Sequence, residues 1–187
     1  MAKSSKNIAI EGVSGMIANL VFRTRKADGK VFISHRPSAH KKPPPPGQKK
    51  SMERFQQAVI YVKAALADTA TKAAYAKKAL PGQTAYNVAI ADYMNAPDIE
   101  DVDFSNYTGR TGSNIIITAT DSFEVVKVYV NIVDGNGMLA EEGNAIKDTE
   151  DKWLYTAEND NATLLGSRIT ISAYDNPGNK TEKAVVL

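Results

Sequence analysis

Apolar and polar residues follow two different periods along this chain, and the change falls near residue 104. Between residues 51 and 96, Phe55, Val59, Val62 and Leu66 recur at helical spacing, with Ser51 placed to cap a first helix. Asp68 or Thr69 caps a second, which runs through Ala73, Ala74, Tyr75 and Ala79 to Leu80 and stops at Pro81-Gly82. Thr84 opens a third through Ala85, Val88, Ala89, Asp92 and Tyr93, ending before Pro97. Three helices of this size make a marginal core, so the module is expected to lean on a neighbour. The run 98–103 reads as an acidic connector. From Phe104 the period becomes two. Ile115, Ile117 and Ala119 share one side of a strand, and Val126, Val128, Val130 and Ile132 share one side of the next. Trp153 and Tyr155 form a further alternating pair, and residues 168–174 a further strand. Asp134-Gly135-Asn136-Gly137 and Asp175-Asn176-Pro177-Gly178-Asn179 are turn signals. Short strands punctuated in this way predict a β-sandwich over 104–187.

The first 50 residues have a different character. Residues 20–25 and 30–35 are β-type runs joined through Lys26-Ala27-Asp28-Gly29, which predicts a hairpin. Pro43-Pro44-Pro45-Pro46 among lysines predicts an extended, semi-rigid spacer over about 15 residues, with a reach on the order of 45 Å. A proline run of this kind is also a possible SH3-type ligand. The fold expected is α+β: an extended N-terminal arm with a β-hairpin (1–50), a small three-helix module (51–97) and the sandwich (104–187).

The β-type half carries a resemblance. Residues 126–134 with their Gly/Asn turn, Trp153-Leu154-Tyr155, and the segment 171–179 resemble the immunoglobulin-like modules of bacterial surface, adhesin and phage structural proteins. The last segment is similar to the penultimate strand of such modules and its turn into the final one. The resemblance covers under half of the chain. It departs from the antibody pattern in lacking the core cystine, and about six strands are evident where seven are usual. A missing strand would leave a sheet edge open to a strand from elsewhere. Asn7-Ile8-Ala9-Ile10 and the hairpin around Asp28-Gly29 are the candidate donors.

Charge sharpens this picture. Residues 1–50 hold eleven Lys/Arg against Glu11 and Asp28, 11 − 2 = +9, whereas residues 101–187 hold seven basic and fourteen acidic residues, 7 − 14 = −7. The arm therefore suits an acidic neighbour or a polyanion, although a solvated basic tail would have the same composition. No cysteine is present, which excludes disulfides, thiolate metal sites and a cysteine nucleophile. Both histidines, His35 and His40, lie in the arm, so no catalytic triad or zinc spacing can be assembled in the sandwich. Glu141-Glu142 and Glu150-Asp151 read as solvated surface. Asp134-Gly135-Asn136-Gly137 and Glu158-Asn159-Asp160-Asn161 could offer oxygens to calcium, but turn chemistry accounts for both. No phosphate-binding glycine loop occurs. The start of the chain lacks the apolar stretch of a secretory signal, and no run is long enough to span a bilayer.

These readings converge on a non-enzymatic, self-associating structural protein with no cofactor, metal ion or catalytic residue. It would be a subunit of a filament, sheath or virion-like assembly linked by arm exchange between copies; the rival is a hairpin folded back on its own chain. The expected interface comprises Ile8, Ile10, Val21, Phe22, Arg23, Arg25, Lys26, Val31, Phe32, Ile33, Arg36, Lys41, Lys42, Lys49 and Lys50. The alternatives are a nucleic-acid-binding protein using the basic arm and an adhesin-like binding module.

Overall fold

The computed structural model describes residues 13–25, 28–38, 43 and 45–187. These residues form three helices and eleven strands in three antiparallel sheets, an α+β fold. Two compact units result, Met1–Lys49 and Lys50–Leu187.

The first unit holds a meander of β1 (Gly15–Ile17), β2 (Leu20–Thr24) and β3 (Val31–His35). The hairpin is where the Asp-Gly signal puts it, with Thr24 opposite Val31 and Gly29 at a φ of 66° in the turn. Asp28 accepts from Arg25 Nε at 2.8 Å, and the same guanidinium lies 5.2 Å over the Phe32 ring. This ion pair holds the Asp28 carboxyl well below the usual carboxylate range, chiefly through the Arg25 hydrogen bond. Strand β1 was not legible from its three residues. It pairs with β2 through a two-residue turn in which Ala18 adopts a φ of 52°. Among the described residues, no side chain of this sheet is fully buried.

Helix α1 (Pro46–Ala65) spans the division between the units and starts five residues before the expected Ser51 cap. Proline is well tolerated in the first helical turn, because the N–H it lacks would have no partner there. The spacer is correspondingly shorter than the proline run suggests. Helices α2 (Thr69–Lys78) and α3 (Ala85–Met94) begin at the predicted caps: Asp68 accepts from Thr71 N at 2.8 Å, and Thr84 from Asn87 N at 3.3 Å. Val62, Tyr75, Val88 and Ala89 form their core, but Phe55, expected on the buried stripe, stands 48% exposed.

The remaining strands are β4 (Asp98–Asp103), β5 (Asn114–Thr120), β6 (Val125–Val133), β7 (Leu139–Asn144), β8 (Ile146–Lys147), β9 (Lys152–Thr156), β10 (Arg168–Asp175) and β11 (Lys180–Val186). They form two four-stranded sheets, ordered β4-β5-β9-β8 and β11-β10-β6-β7. Ile99, Ile115, Ile117, Trp153 and Tyr155 from one sheet share a core with Val128, Val130, Ile132, Ile169 and Ile171 from the other, so the two sheets make a sandwich. Eight strands replace the six expected. The acidic connector is itself strand β4, and the anticipated strand deficit does not exist. A bulge opposite Tyr174 and Asp175 also re-aims β6: Val125 is buried, and Val126, expected inside, is 44% exposed.

Candidate functional site

Residues paired directly across an antiparallel sheet project from the same face. The pairs Ile17–Leu20, Phe22–Ile33 and Thr24–Val31 therefore put Ile17, Leu20, Phe22, Val31 and Ile33 on one face of the N-terminal meander. Ile17 is 59% and Ile33 51% exposed; Phe22 and Val31 are half-buried. The other face carries Met16, Val21, Arg23 and Phe32. Of the expected interface, Val21 is half-buried, while Arg23, Arg25, Phe32, Ile33, Arg36, Lys49 and Lys50 are exposed. Ile8, Ile10, Lys26, Lys41 and Lys42 lie outside the described residues, as does His40. The meander thus combines a large apolar fraction with a basic surface, and three short strands cannot cover either face by themselves.

A second concentration of chemistry lies where the helices meet the sandwich. Asp92 belongs to the buried stripe of α3, Asp121 to the β5–β6 turn and Asp175 to the end of β10. One carboxylate oxygen from each lies within 4.8 Å of the other two. Each group is held in place. Tyr75 donates its hydroxyl to Asp92 Oδ2 at 2.6 Å, and the backbone N–H groups of Phe123 and Glu124 donate to Asp121 Oδ2 at 3.0 and 3.2 Å. Asn179 donates its backbone N–H to Asp175 Oδ1 at 2.6 Å and its amide to Oδ2 at 2.7 Å. The same amide reaches the carbonyls of Tyr93 and Asn95 at 3.1 and 3.0 Å, so a sandwich side chain caps the C-terminal end of α3. Phe123 completes the contact: its ring packs 4.1 Å from that of Tyr75, and Lys78 Nζ donates to its carbonyl.

Two oxygens in this cluster, Asp92 Oδ1 and Asp121 Oδ1, are buried where no N–H or hydroxyl donor reaches them. Asp92 is 0% exposed. Burial pushes its carboxyl up to about 7, opposed by the Tyr75 hydrogen bond and helped by a hydrogen bond with Asp121 and by the charges of Asp121 and Asp175. Asp175 is raised for the same first reason. Burial likewise raises the Tyr61 phenol, which also feels Asp92 and Asp175.

Two loop aspartates outside this cluster accept from backbone donors. Asp134 Oδ1 accepts from the backbone N–H groups of Asn136 and Met138 at 2.9 and 2.8 Å, and Asp160 Oδ1 from Thr111 N at 2.8 Å. Glu141 departs from its expected surface role. It is buried, and its Oε2 accepts from Glu158 N at 2.9 Å and Asn159 N at 3.2 Å, tying β7 to the loop after β9. Sequence reasoning did not single out Asp121 or Asp175 as ligands. The available signal was Asp92, a carboxylate among Val88 and Ala89 on an otherwise apolar helix stripe. Among the described residues, no helix is long and apolar enough to cross a membrane. No known protein-family profile matches the chain, and no curated protein sequence matches it significantly.

Proposed function

We propose that this protein is a non-enzymatic structural subunit that assembles with other copies of itself, the N-terminal meander of one copy docking on the acidic sandwich unit of another. The apolar face of Ile17, Leu20, Phe22, Val31 and Ile33 carries this reading, because a face of that kind gains stability only by being covered. The partner is a second copy because the charges match: +9 over residues 1–50 against −7 over 101–187. Edge strand β4 adds to the acidic side, with Asp98, Glu100, Asp101 and Asp103 all exposed. Docking by a preformed sheet needs no vacancy in the sandwich, so the complete set of eight strands is compatible with it. The strand order supports the immunoglobulin-like reading: β4-β5-β9-β8 and β11-β10-β6 correspond to the A-B-E-D and G-F-C sheets, with β7 added beside C.

The test uses full-length chain carrying Phe22→Glu and Ile33→Glu, compared with the natural sequence by light scattering at low and moderate salt. The natural chain forms large species that weaken as salt rises, and the double variant stays monomeric. Large species that persist in the double variant would dismiss docking through this face. If the natural chain remains monomeric and instead retards duplex DNA in a gel, the basic arm serves nucleic acid.

A further inference from the structure

We propose that Asp92, Asp121 and Asp175 form a binding site for one divalent cation of the calcium type, and that the ion fastens α3 to the sandwich. Three separate elements deliver these carboxylates, and one oxygen from each falls within 4.8 Å of the others. Calcium binds oxygen at about 2.4 Å, so oxygens on opposite sides of one ion stand about 4.8 Å apart. The three groups can therefore share an ion with little movement.

The second observation is a pair of buried oxygens that no N–H or hydroxyl donor reaches. Asp92 Oδ1 belongs to a side chain with 0% exposure, and Asp121 Oδ1 is buried beside it in the same cluster. A buried carboxylate oxygen without a donor is costly and rarely left so. The other oxygen of each is already engaged, by Tyr75 for Asp92 and by two backbone N–H groups for Asp121. Asp92 and Asp121 are thus each oriented through one oxygen by donors outside the cluster, as the ligands of a metal ion generally are, and both oxygens of Asp175 accept from Asn179. Nitrogen and sulfur ligands are absent from the cluster, so a hard cation suits it and zinc or copper does not.

Such an ion would act on the same contact that Asn179 makes. It would neutralise three converging acids at the point where α3 meets the β5–β6 turn and the end of β10. The proposal is independent of arm docking, and its test is done at concentrations and salt where the chain has a single defined size.

Equilibrium dialysis of the chelator-treated full chain against calcium measures occupancy, with magnesium as a parallel arm, and thermal unfolding is followed in each. One calcium per chain and a rise in melting midpoint of several degrees are expected at saturation. Asp92→Asn keeps the side-chain shape and removes a buried charge. It is expected to fold at least as stably in chelator and to bind calcium about tenfold more weakly or worse. Asp121→Asn is the second variant, expected to lose the same affinity. No bound calcium at millimolar concentration overturns the proposal, and so does binding that both variants leave unchanged.

Discussion

At the scale of the residue, Asp92 concentrates the tension in this molecule. It lies on the apolar stripe of α3, fully buried, with two further carboxylates at hand. In chelator-treated protein the folded chain holds a proton there up to about pH 7, whereas the unfolded chain releases it near 3.8, as an ordinary aspartate does. The folded state therefore binds more protons across this window, and stability falls as pH rises through it, by on the order of 4 kcal/mol. Asp175 acts in the same direction. Urea unfolding at pH 5 and pH 7.5 in chelator should show the higher midpoint at pH 5, and Asp92→Asn should remove most of the difference. A midpoint that rises with pH in both proteins would contradict it. Asp92 was visible in the sequence as a polar member of an apolar stripe. Its partners were not, because Asp121 and Asp175 sit in turns where an aspartate is ordinary, and only the tertiary fold brings them together.

Among the elements, legibility follows period and punctuation. Helices α2 and α3 begin at Asp68 and Thr84 because a cap is a local interaction, complete within a few residues. Strand β4 escaped because a bulge between Ile99 and Asp101 breaks the alternation, so its inward residues Ile99 and Val102 stand three apart among acids. The same effect turned Val126 outward in β6. The start of α1 was hidden by prolines that read as extended chain. How the helices attach to the sandwich was foreseen only as a need for a neighbour. Phe123 meets that need, buried against Tyr75 and shared with the helical core. Phe123→Ala should cost about 3 kcal/mol and loosen the helices first. Hydrogen exchange would register this as faster exchange in α2 and α3, with the strands of the sandwich still protected. Equal loss across helices and strands would mean that the two layers unfold as one.

For the whole molecule, the governing facts are the division into two compact units and the opposite charge of the two ends. The sandwich and the helices each bury a cluster of apolar side chains, whereas the meander leaves Ile17 and Ile33 more than half exposed. A sheet of three short strands in that condition is marginal alone and gains most from a partner surface. In the docking proposed above, charge complementarity would direct the meander to an acidic surface, and residues 101–187 carry an excess of acid. Composition made the charge asymmetry legible. The apolar face was not, because it depends on β1 and on the register that joins Ile17 to Leu20 and Phe22 to Ile33.

Sedimentation velocity of the full-length chain, free of nucleic acid and examined over a range of concentrations at low salt, addresses the self-assembly claim most directly. Species far heavier than the 20.2 kDa monomer are expected, growing with concentration and receding as salt is added. A single monomeric boundary at every concentration and salt would contradict it.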